Sequence, residues 1–185
     1  MTQKSNILLV LDLDETLIHA TKNKLDELLT DFTFDQYFVY KRPYLDTFLS
    51  EISKHFKFGI WSSAGDNYVE EIVKQILPTD IIPEFVWGRS KCTIKRDKTF
   101  DTYFFEKRLD KLKRKGFQLE RILIVDDTVE KVASNYGNAI YINEFNGNLL
   151  DNELQILQEY LITLKTVENV RTIEKRHWRK EYGGT

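Results

Sequence analysis

The chain has 185 residues, 42% of them hydrophobic and 30% charged, with a formal net charge of −2 at pH 7. This is the composition of an ordinary folded protein, and it lacks the global basic bias that nucleic-acid-binding domains show. A single cysteine, Cys92, excludes an intramolecular disulfide. Neither a secretory signal nor a membrane-spanning apolar run is present, so we expect an intracellular protein, cytoplasmic or, in a eukaryote, nuclear.

The first predicted element is a strand formed by the aliphatic run of residues 7–11, which leads into Asp12, Leu13 and Asp14. An unbroken apolar run of this length, bounded by polar residues, is typical of a strand buried on both faces. Since side chains alternate along a strand, Asp12 and Asp14 should project together where the strand ends. Taken alone, the pair fits metal binding, a nucleophile with an acid/base partner, or a simple turn.

Irregular polar and aromatic sequence follows the first strand, over residues 16–42. Its β-prone segments, residues 32–34 and 37–40, predict a loop with a small hairpin beside the end of the strand. The sequence then takes on the period of an amphipathic helix, followed by a strand over residues 56–61, a second helix, and a short strand over residues 85–87. Helices and strands thus alternate through this half of the chain.

The second half of the chain continues this alternation. Residues 88–102 are polar and basic and predict a loop, whereas residues 103–115 predict a helix that ends at Gly116. The basic C-terminal segment, about residues 167–185, is interpreted as a solvated helix or a frayed tail. The elements between Gly116 and this C-terminal segment are a strand over residues 122–125, a short helix, a strand over residues 139–142, and a long amphipathic helix over residues 151–166.

The alternation predicts a single α/β domain over residues 1–185, with a parallel sheet flanked by helices on both faces. In an open sheet of this kind, ligands bind at the carboxyl ends of the strands. Carboxylates, a hydroxyl and an ammonium gathered there would suit magnesium-assisted phosphoryl transfer. The polar residues at or near these ends are Asp12, Asp14, Thr16, Ser62, Ser63, Asp126 and Asp127, with Lys107 and Lys111 on the helix before the fourth strand.

Residues 11–17, Leu-Asp-Leu-Asp-Glu-Thr-Leu, resemble the first motif of haloacid dehalogenase (HAD) superfamily phosphatases. The form is that of the FCP/SCP branch, the RNA polymerase II C-terminal-domain phosphatases and their relatives. The resemblance covers roughly residues 6–166 and implies a HAD-like Rossmannoid sheet, a short β-hairpin insertion after the first strand, and no large cap domain. The other matching segments are Arg42-Pro43 before an apolar helix, Trp61-Ser62-Ser63-Ala64 with Ser where Thr is usual, Lys107, and residues 122–127.

The resemblance also implies roles for the matching residues. Asp12 would be the nucleophile that becomes phosphorylated, and Asp14 the general acid/base. Lys111 lies one helical turn after Lys107 in the predicted helix and competes with it for the motif position. The Mg²⁺ ligands implied are Asp12, Asp14 through its backbone carbonyl, Asp126 and Asp127, and the residues that would bind substrate phosphate are Ser62, Lys107 and, as a weaker match, Arg89.

The resemblance therefore implies a Mg²⁺-dependent phosphomonoesterase that acts through an aspartyl-phosphate, of the protein Ser/Thr phosphatase type. Residues 16–42 are too few to form a large cap, and an open site admits bulky phosphorylated substrates. Two alternatives stay open: a small-molecule or nucleic-acid-end phosphatase of the same chemistry, and a catalytically silent HAD-fold binding module. We expect a monomer whose partner is a phosphorylated substrate, with no membrane association.

Overall fold

The computed structural model of the protein describes residues 5–26, 28–97 and 101–182. Its strands are, in chain order, β1 (Leu8–Leu11), β2 (Ile18–Thr21), β3 (Phe32–Phe34), β4 (Tyr37–Lys41), β5 (Lys57–Trp61), β6 (Val86–Trp87), β7 (Thr93–Asp97), β8 (Thr102–Glu106), β9 (Ile122–Asp126) and β10 (Ala139–Tyr141). Its helices are α1 (Leu45–His55), α2 (Asp66–Ile76), α3 (Asp110–Lys113), α4 (Val129–Val132), α5 (Glu153–Leu164) and α6 (Trp178–Tyr182). Single 3₁₀ turns lie at Arg89–Lys91, Leu119–Arg121, Ala133–Asn135 and Val170–Thr172.

The central sheet has five parallel strands in the order β10-β9-β1-β5-β6. β1 lies in the middle, and its last residue, Leu11, pairs with Ile60 of β5 on one side and Val125 of β9 on the other. β5 and β6 are added on one side of β1, and β9 and β10 are added on the other. The order therefore reverses between β1 and β9, and a crevice forms at their carboxyl ends, where such sheets bind ligands. The predicted α/β fold class is confirmed, and Asp12 lies at this crevice.

β1 is buried on both faces, as its aliphatic sequence predicts. Leu9 and Leu11 pack in one hydrophobic core with α1, α2 and α5, whereas Leu8 and Val10 pack on the opposite face with Trp61 and the short helices α3 and α4. The side chains along β1 are completely inaccessible to solvent. The polar residues that follow β1 are therefore held by a strand whose neighbours are close-packed on every side.

The segment between β6 and β9 differs from the sequence prediction. The predicted loop of residues 88–102 contains β7, and the first four residues of the predicted helix of residues 103–115 belong to β8, which pairs antiparallel with β7. The Thr-Tyr-Phe-Phe sequence of β8 has high β-propensity, which overrides the weak helical period. Only Asp110–Lys113 is helical, so Lys107 lies in the connection after β8 and not on a helix.

The insertion after β1 forms a small antiparallel sheet in the order β2-β4-β3. The predicted hairpin corresponds to β3 and β4, and β2 adds a third strand that the sequence did not indicate. Aromatic side chains from this sheet, including Phe34 and Tyr37, make edge-to-face contacts with Tyr68 of α2. The insertion therefore forms one wall beside the carboxyl end of β1.

The basic C-terminal segment packs against the body of the protein. Trp178 of α6 is 2% exposed and stacks on Tyr160 of α5, with ring centroids 5.4 Å apart. Arg179 makes an ion pair with the buried Glu153, and the Nζ atom of Lys175 donates to the carbonyl of Val170 at 2.6 Å. The predicted solvated tail is thus wrong for Lys175 and Arg179. None of the helices in the described part of the chain has the length and apolarity needed to cross a membrane.

Candidate active site

A tight turn directly after β1 carries the first two carboxylates of the site. The backbone N–H of Asp12 donates to the carbonyl of Val125 at 3.0 Å, so Asp12 still belongs to the sheet ladder. The N–H of Leu17 then donates to the carbonyl of Leu13 at 2.8 Å, and Glu15 takes a left-handed φ of 59° to close the turn. This turn directs Asp12 and Asp14 toward two different groups of neighbours.

Lys107 lies between two of the buried carboxylates. Its Nζ atom donates to Oδ1 of Asp12 at 2.5 Å and to Oδ2 of Asp126 at 2.6 Å, and its side chain is completely buried. The ammonium of Lys111 instead donates to the backbone carbonyls of Lys91 and Cys92. Of the two lysines that the sequence left as alternatives, the fold therefore brings Lys107 to the carboxylates.

Three carboxylates converge at the crevice between β1 and β9. One oxygen from each of Asp12, Asp126 and Asp127 lies within 4.8 Å of the others, a grouping that suits a metal ion. Thr128 supports the pair that follows β9, since its N–H donates to Oδ1 of Asp126 at 2.9 Å and its hydroxyl donates to Oδ2 of Asp127 at 2.8 Å. Thr16 places its hydroxyl 3.3 Å from Oδ2 of Asp12. These contacts orient the three carboxylates toward a common point.

The charge balance of the site fits a divalent cation. Among the described residues, Lys107 and Lys131 bring ammonium groups to the four carboxylates of Asp12, Asp14, Asp126 and Asp127. Lys107 pairs with Asp12 and Asp126, and the Nζ atom of Lys131 lies 4.0 Å from Asp12 and 3.9 Å from Asp127. Fully ionised, this group has two more negative charges than positive ones. Carboxylate oxygens are the ligands that Mg²⁺ prefers, so both the donors and the charge fit that ion.

The pKa values of the carboxylates differ because their neighbours differ. Burial disfavours the charged form of Asp12, but the ammonium groups of Lys107 and Lys131 hold its pKa below the ordinary value. Burial and the charge of Asp12 raise the pKa of Asp126 to about 6, and burial raises the pKa of Asp14. Asp12 therefore stays ionised, whereas Asp14 and Asp126 retain a proton more readily.

Two hydroxyl groups hold the side chain of Asp14 away from the three converging carboxylates. Tyr68 of α2 donates to Oδ1 of Asp14 at 2.5 Å, and Ser62 donates to Oδ2 at 3.1 Å. Ser62 in turn accepts the N–H of Ala64 at 3.0 Å, which fixes its hydroxyl at the end of β5. Asp14 is thereby oriented toward a cavity rather than toward Asp126.

This cavity has a volume of about 450 Å³ and lies between the insertion and the start of α2. Phe34 and Tyr37 form one wall, Tyr68 and Arg89 contribute to the other, and Asp14 lies at the base. The Nε atom of Arg89 donates to the carbonyl of Ser63 at 2.9 Å, and its guanidinium lies over the ring of Phe105 at 4.8 Å. Arg89 thus belongs to the wall of the cavity that Asp14 faces.

Sequence reasoning missed two residues of the site, Tyr68 and Lys131. Lys131 lies one helical turn after Asp127, a spacing that brings side chains together on a helix and could have been recognised. Tyr68 precedes the apolar stripe of α2 by one residue and gave no comparable signal. Its contact with Asp14 joins residues 54 positions apart, which only the packing of α2 against the β1 turn creates.

Comparison with known proteins identifies relatives over nearly the whole chain. The profile of the family described as "NLI interacting factor-like phosphatase" matches residues 7–171. The chain is 30% identical over 171 residues to CTD small phosphatase-like protein 2 of Dictyostelium discoideum, covering 89% of this chain and 28% of that protein. It is 26% identical over 174 residues to the human carboxy-terminal domain RNA polymerase II polypeptide A small phosphatase 1, covering 90% of this chain and 62% of that protein.

A solved structure supports the fold assignment. The chain superimposes on a variant of the fission yeast RNA polymerase II CTD phosphatase Fcp1, bound to beryllium fluoride, with a TM-score of 0.55. Sequence identity is 19%, and the match covers 95% of this chain and 54% of that one. The two curated relatives above are also longer, since the chain spans 28% and 62% of their lengths.

Proposed function

The chain belongs to the NLI interacting factor-like phosphatase family, a HAD family of the FCP/SCP type, and we propose that it is a Mg²⁺-dependent phosphomonoester hydrolase that forms an aspartyl-phosphate on Asp12. The observation that carries this proposal is the ion pair of Lys107 with both Asp12 and Asp126, beside an Asp14 held apart by Tyr68 and Ser62. This arrangement separates a nucleophile from an acid at the end of one strand.

Asp12 is the nucleophile in this proposal. Its low pKa keeps the carboxylate ionised, and an ionised oxygen attacks phosphorus while the bond to the leaving oxygen breaks. The product is a mixed anhydride between Asp12 and phosphate. Lys107 and Lys131 lie next to the same carboxylate, so they balance the negative charge that the phosphoryl group brings.

Asp14 is the proton carrier. Burial raises its pKa, so the side chain can donate a proton to the leaving oxygen in the first step. In the second step, the resulting carboxylate accepts a proton from water as that water attacks phosphorus. The bond between phosphorus and Asp12 then breaks, phosphate leaves, and both residues return to their starting states.

Asp12, Asp126, Asp127 and the backbone carbonyl of Asp14 would hold Mg²⁺. When bound, Mg²⁺ supplies positive charge that reduces the repulsion between the carboxylates and an incoming phosphate and stabilises the transition state. Ser62 and Lys107 are placed to bind the phosphate, because Ser62 contacts Asp14 and Lys107 contacts Asp12. The donor set, made of carboxylate oxygens near one point, supports this assignment.

The proposed substrate is a phosphoserine or phosphothreonine in a protein segment. The insertion is a small three-stranded sheet that forms one side wall, and the cavity of about 450 Å³ beside Asp14 is open to an extended chain. The relatives from D. discoideum and human are named as C-terminal-domain small phosphatases, which favours the same class of substrate for this chain. A phosphate metabolite hydrolysed orders of magnitude faster than every phosphopeptide would contradict this choice.

The decisive experiment measures hydrolysis of an aryl phosphate by wild type and Asp12→Asn, each with Mg²⁺ and with EDTA. We expect activity only in wild type with Mg²⁺, since the amide is a poor nucleophile of nearly the same volume. The matched control is Asp80→Asn, which changes an exposed aspartate elsewhere in the chain and should keep wild-type activity. Circular dichroism shows whether each variant is folded, and activity retained in folded Asp12→Asn would exclude the covalent mechanism.

A further inference from the structure

A second cavity, which we call the basic pocket, lies outside the candidate active site. It has a volume of about 400 Å³, within the range of ligand-binding pockets in general. The 3₁₀ turn at Arg89–Lys91, the start of β7, and α3 surround it. The residues that line it are Trp87, Lys91, Thr93, Arg108, Asp110, Lys111, Arg114 and Lys115.

The basic pocket is strongly positive in a chain whose net charge is −2. Five of its lining residues are Lys or Arg, and a single one, Asp110, is acidic. Asp110 pairs with Arg108 at 2.9 Å, and no carboxylate of the described residues lies within 4.0 Å of the other four cations. Like charges at this density repel one another, and binding of an anion would relieve that repulsion.

The positions of two of these cations are fixed by contacts that leave their charge available. Lys111 donates to the carbonyls of Lys91 and Cys92 at 2.7 and 3.1 Å, which joins α3 to the 3₁₀ turn. Lys115 lies over the indole of Trp87 at 5.6 Å from the ring centroid. Neither contact neutralises an ammonium group, so the pocket presents pre-ordered donors to an anionic ligand.

The basic pocket adjoins the cavity beside Asp14. Arg89 lines that cavity and Lys91 lines the basic pocket, and both belong to the same single turn. The two spaces therefore lie on either side of this turn. An extended chain advances about 3.3 Å per residue, so three to six residues cover roughly 10–20 Å and can reach from one cavity into a neighbouring one.

We propose that the basic pocket binds a second phosphoryl group of the same substrate segment, about three to six residues from the phosphate that reaches Asp12. This inference rests on the proposed phosphatase function and adds to it a preference for multiply phosphorylated segments. A phosphoryl group fits better than a single carboxylate, because it brings up to two negative charges and three acceptor oxygens to a cluster of Lys and Arg donors.

The test compares kcat/KM for synthetic peptides with one phosphoserine and with a second phosphoserine placed three to six residues to either side. In wild type, we expect at least one doubly phosphorylated peptide to be preferred by about tenfold over the singly phosphorylated one. In the double variant Lys91→Gln/Arg114→Gln, that preference should fall to about twofold or less. Both side chains are exposed, so the fold should tolerate their replacement.

The matched control is Lys113→Gln/Lys180→Gln, which removes the same charge from exposed positions outside the pocket and should keep the wild-type preference. Equal kcat/KM for all peptides in wild type, or an unchanged preference in Lys91→Gln/Arg114→Gln, would overturn the proposal. Fluorescence anisotropy with the same labelled peptides and the Asp12→Asn variant measures the preference without turnover. The pocket can therefore be tested even if the proposed catalytic function fails.

Discussion

Tyr68 provides the sharpest test of how the site handles the leaving-group proton. The Tyr68→Phe substitution removes the hydroxyl that donates to Oδ1 of Asp14 at 2.5 Å and keeps the ring, whose centroid lies 5.8 Å from that of Phe34. A hydrogen bond to a charged group contributes about 1.5–3 kcal/mol, so loss of orientation at Asp14 should slow proton transfer by roughly ten- to a hundredfold. The hydrogen bond from Ser62 remains and limits the loss.

The assay is a series of aryl phosphates whose leaving groups differ in basicity. In the proposed mechanism, a poor leaving group such as phenolate needs the proton from Asp14, whereas dinitrophenolate departs without it. Tyr68→Phe should therefore lose about tenfold or more in kcat/KM on phenyl phosphate and less than about threefold on the dinitrophenyl ester. Tyr37→Phe is the matched control, because Tyr37 lines the same cavity and contacts the ring of Tyr68.

Two results would refute this reasoning. If Tyr68→Phe slows every ester by the same factor, then the hydroxyl supports the structure of the site and not the proton transfer. If Tyr37→Phe has the same dependence on the leaving group, then the effect comes from the cavity wall and not from the contact with Asp14. Denaturant unfolding of each variant separates both results from a general loss of stability.

Three further predictions concern the metal site, a buried ion pair and pH. Asp127→Ala should raise the Mg²⁺ concentration needed for half-maximal activity, and an unchanged Mg²⁺ titration would exclude Asp127 from the metal site. Arg42→Met should lower the free energy of unfolding in urea by about 3–5 kcal/mol. The substitution leaves the carboxylate of Asp151 without the buried guanidinium that binds it at 2.9 and 2.8 Å. The control Lys41→Gln breaks an exposed ion pair and should change the free energy of unfolding by less than about 1 kcal/mol. Equal losses of stability in the two variants would contradict the argument. Burial lowers the pKa of His19 below 6.5, so the unfolded chain binds a proton more readily and stability should fall as the pH drops through 6.5. An NMR titration that gives His19 a pKa at or above 6.5 would contradict this.

Much of the fold follows from local sequence. The aliphatic run of β1 can be buried only between neighbouring strands and two layers of helices, and the same holds for β9. In a parallel sheet, the carboxyl ends of such strands lie at the same edge, so the sequence alone predicts that Asp12 and Asp126 are close together. The α/β class and the carboxylate cluster are consequences of this rule.

The failed predictions lie where local signals are weak and tertiary contacts decide. The sequence of β8 can be matched to a helix or to a strand, and pairing with β7 selects the strand. The charged C-terminal segment predicts a solvated tail, but Trp178 packs on α5 and Arg179 pairs with the buried carboxylate of Glu153. Periodicity carries no information about such distant partners.

The sequence by itself determined which residues end the central strands and which chemistry they offer. Tertiary structure decided which of two lysines reaches Asp12, since Lys107 directly follows β8, whose position is set by its pairing with β7. It also decided that Tyr68 contacts Asp14, because α2 must first pack against the sheet. The physical reason is that strand ends follow from short-range patterns, whereas side-chain partners across the site depend on how separate elements pack together.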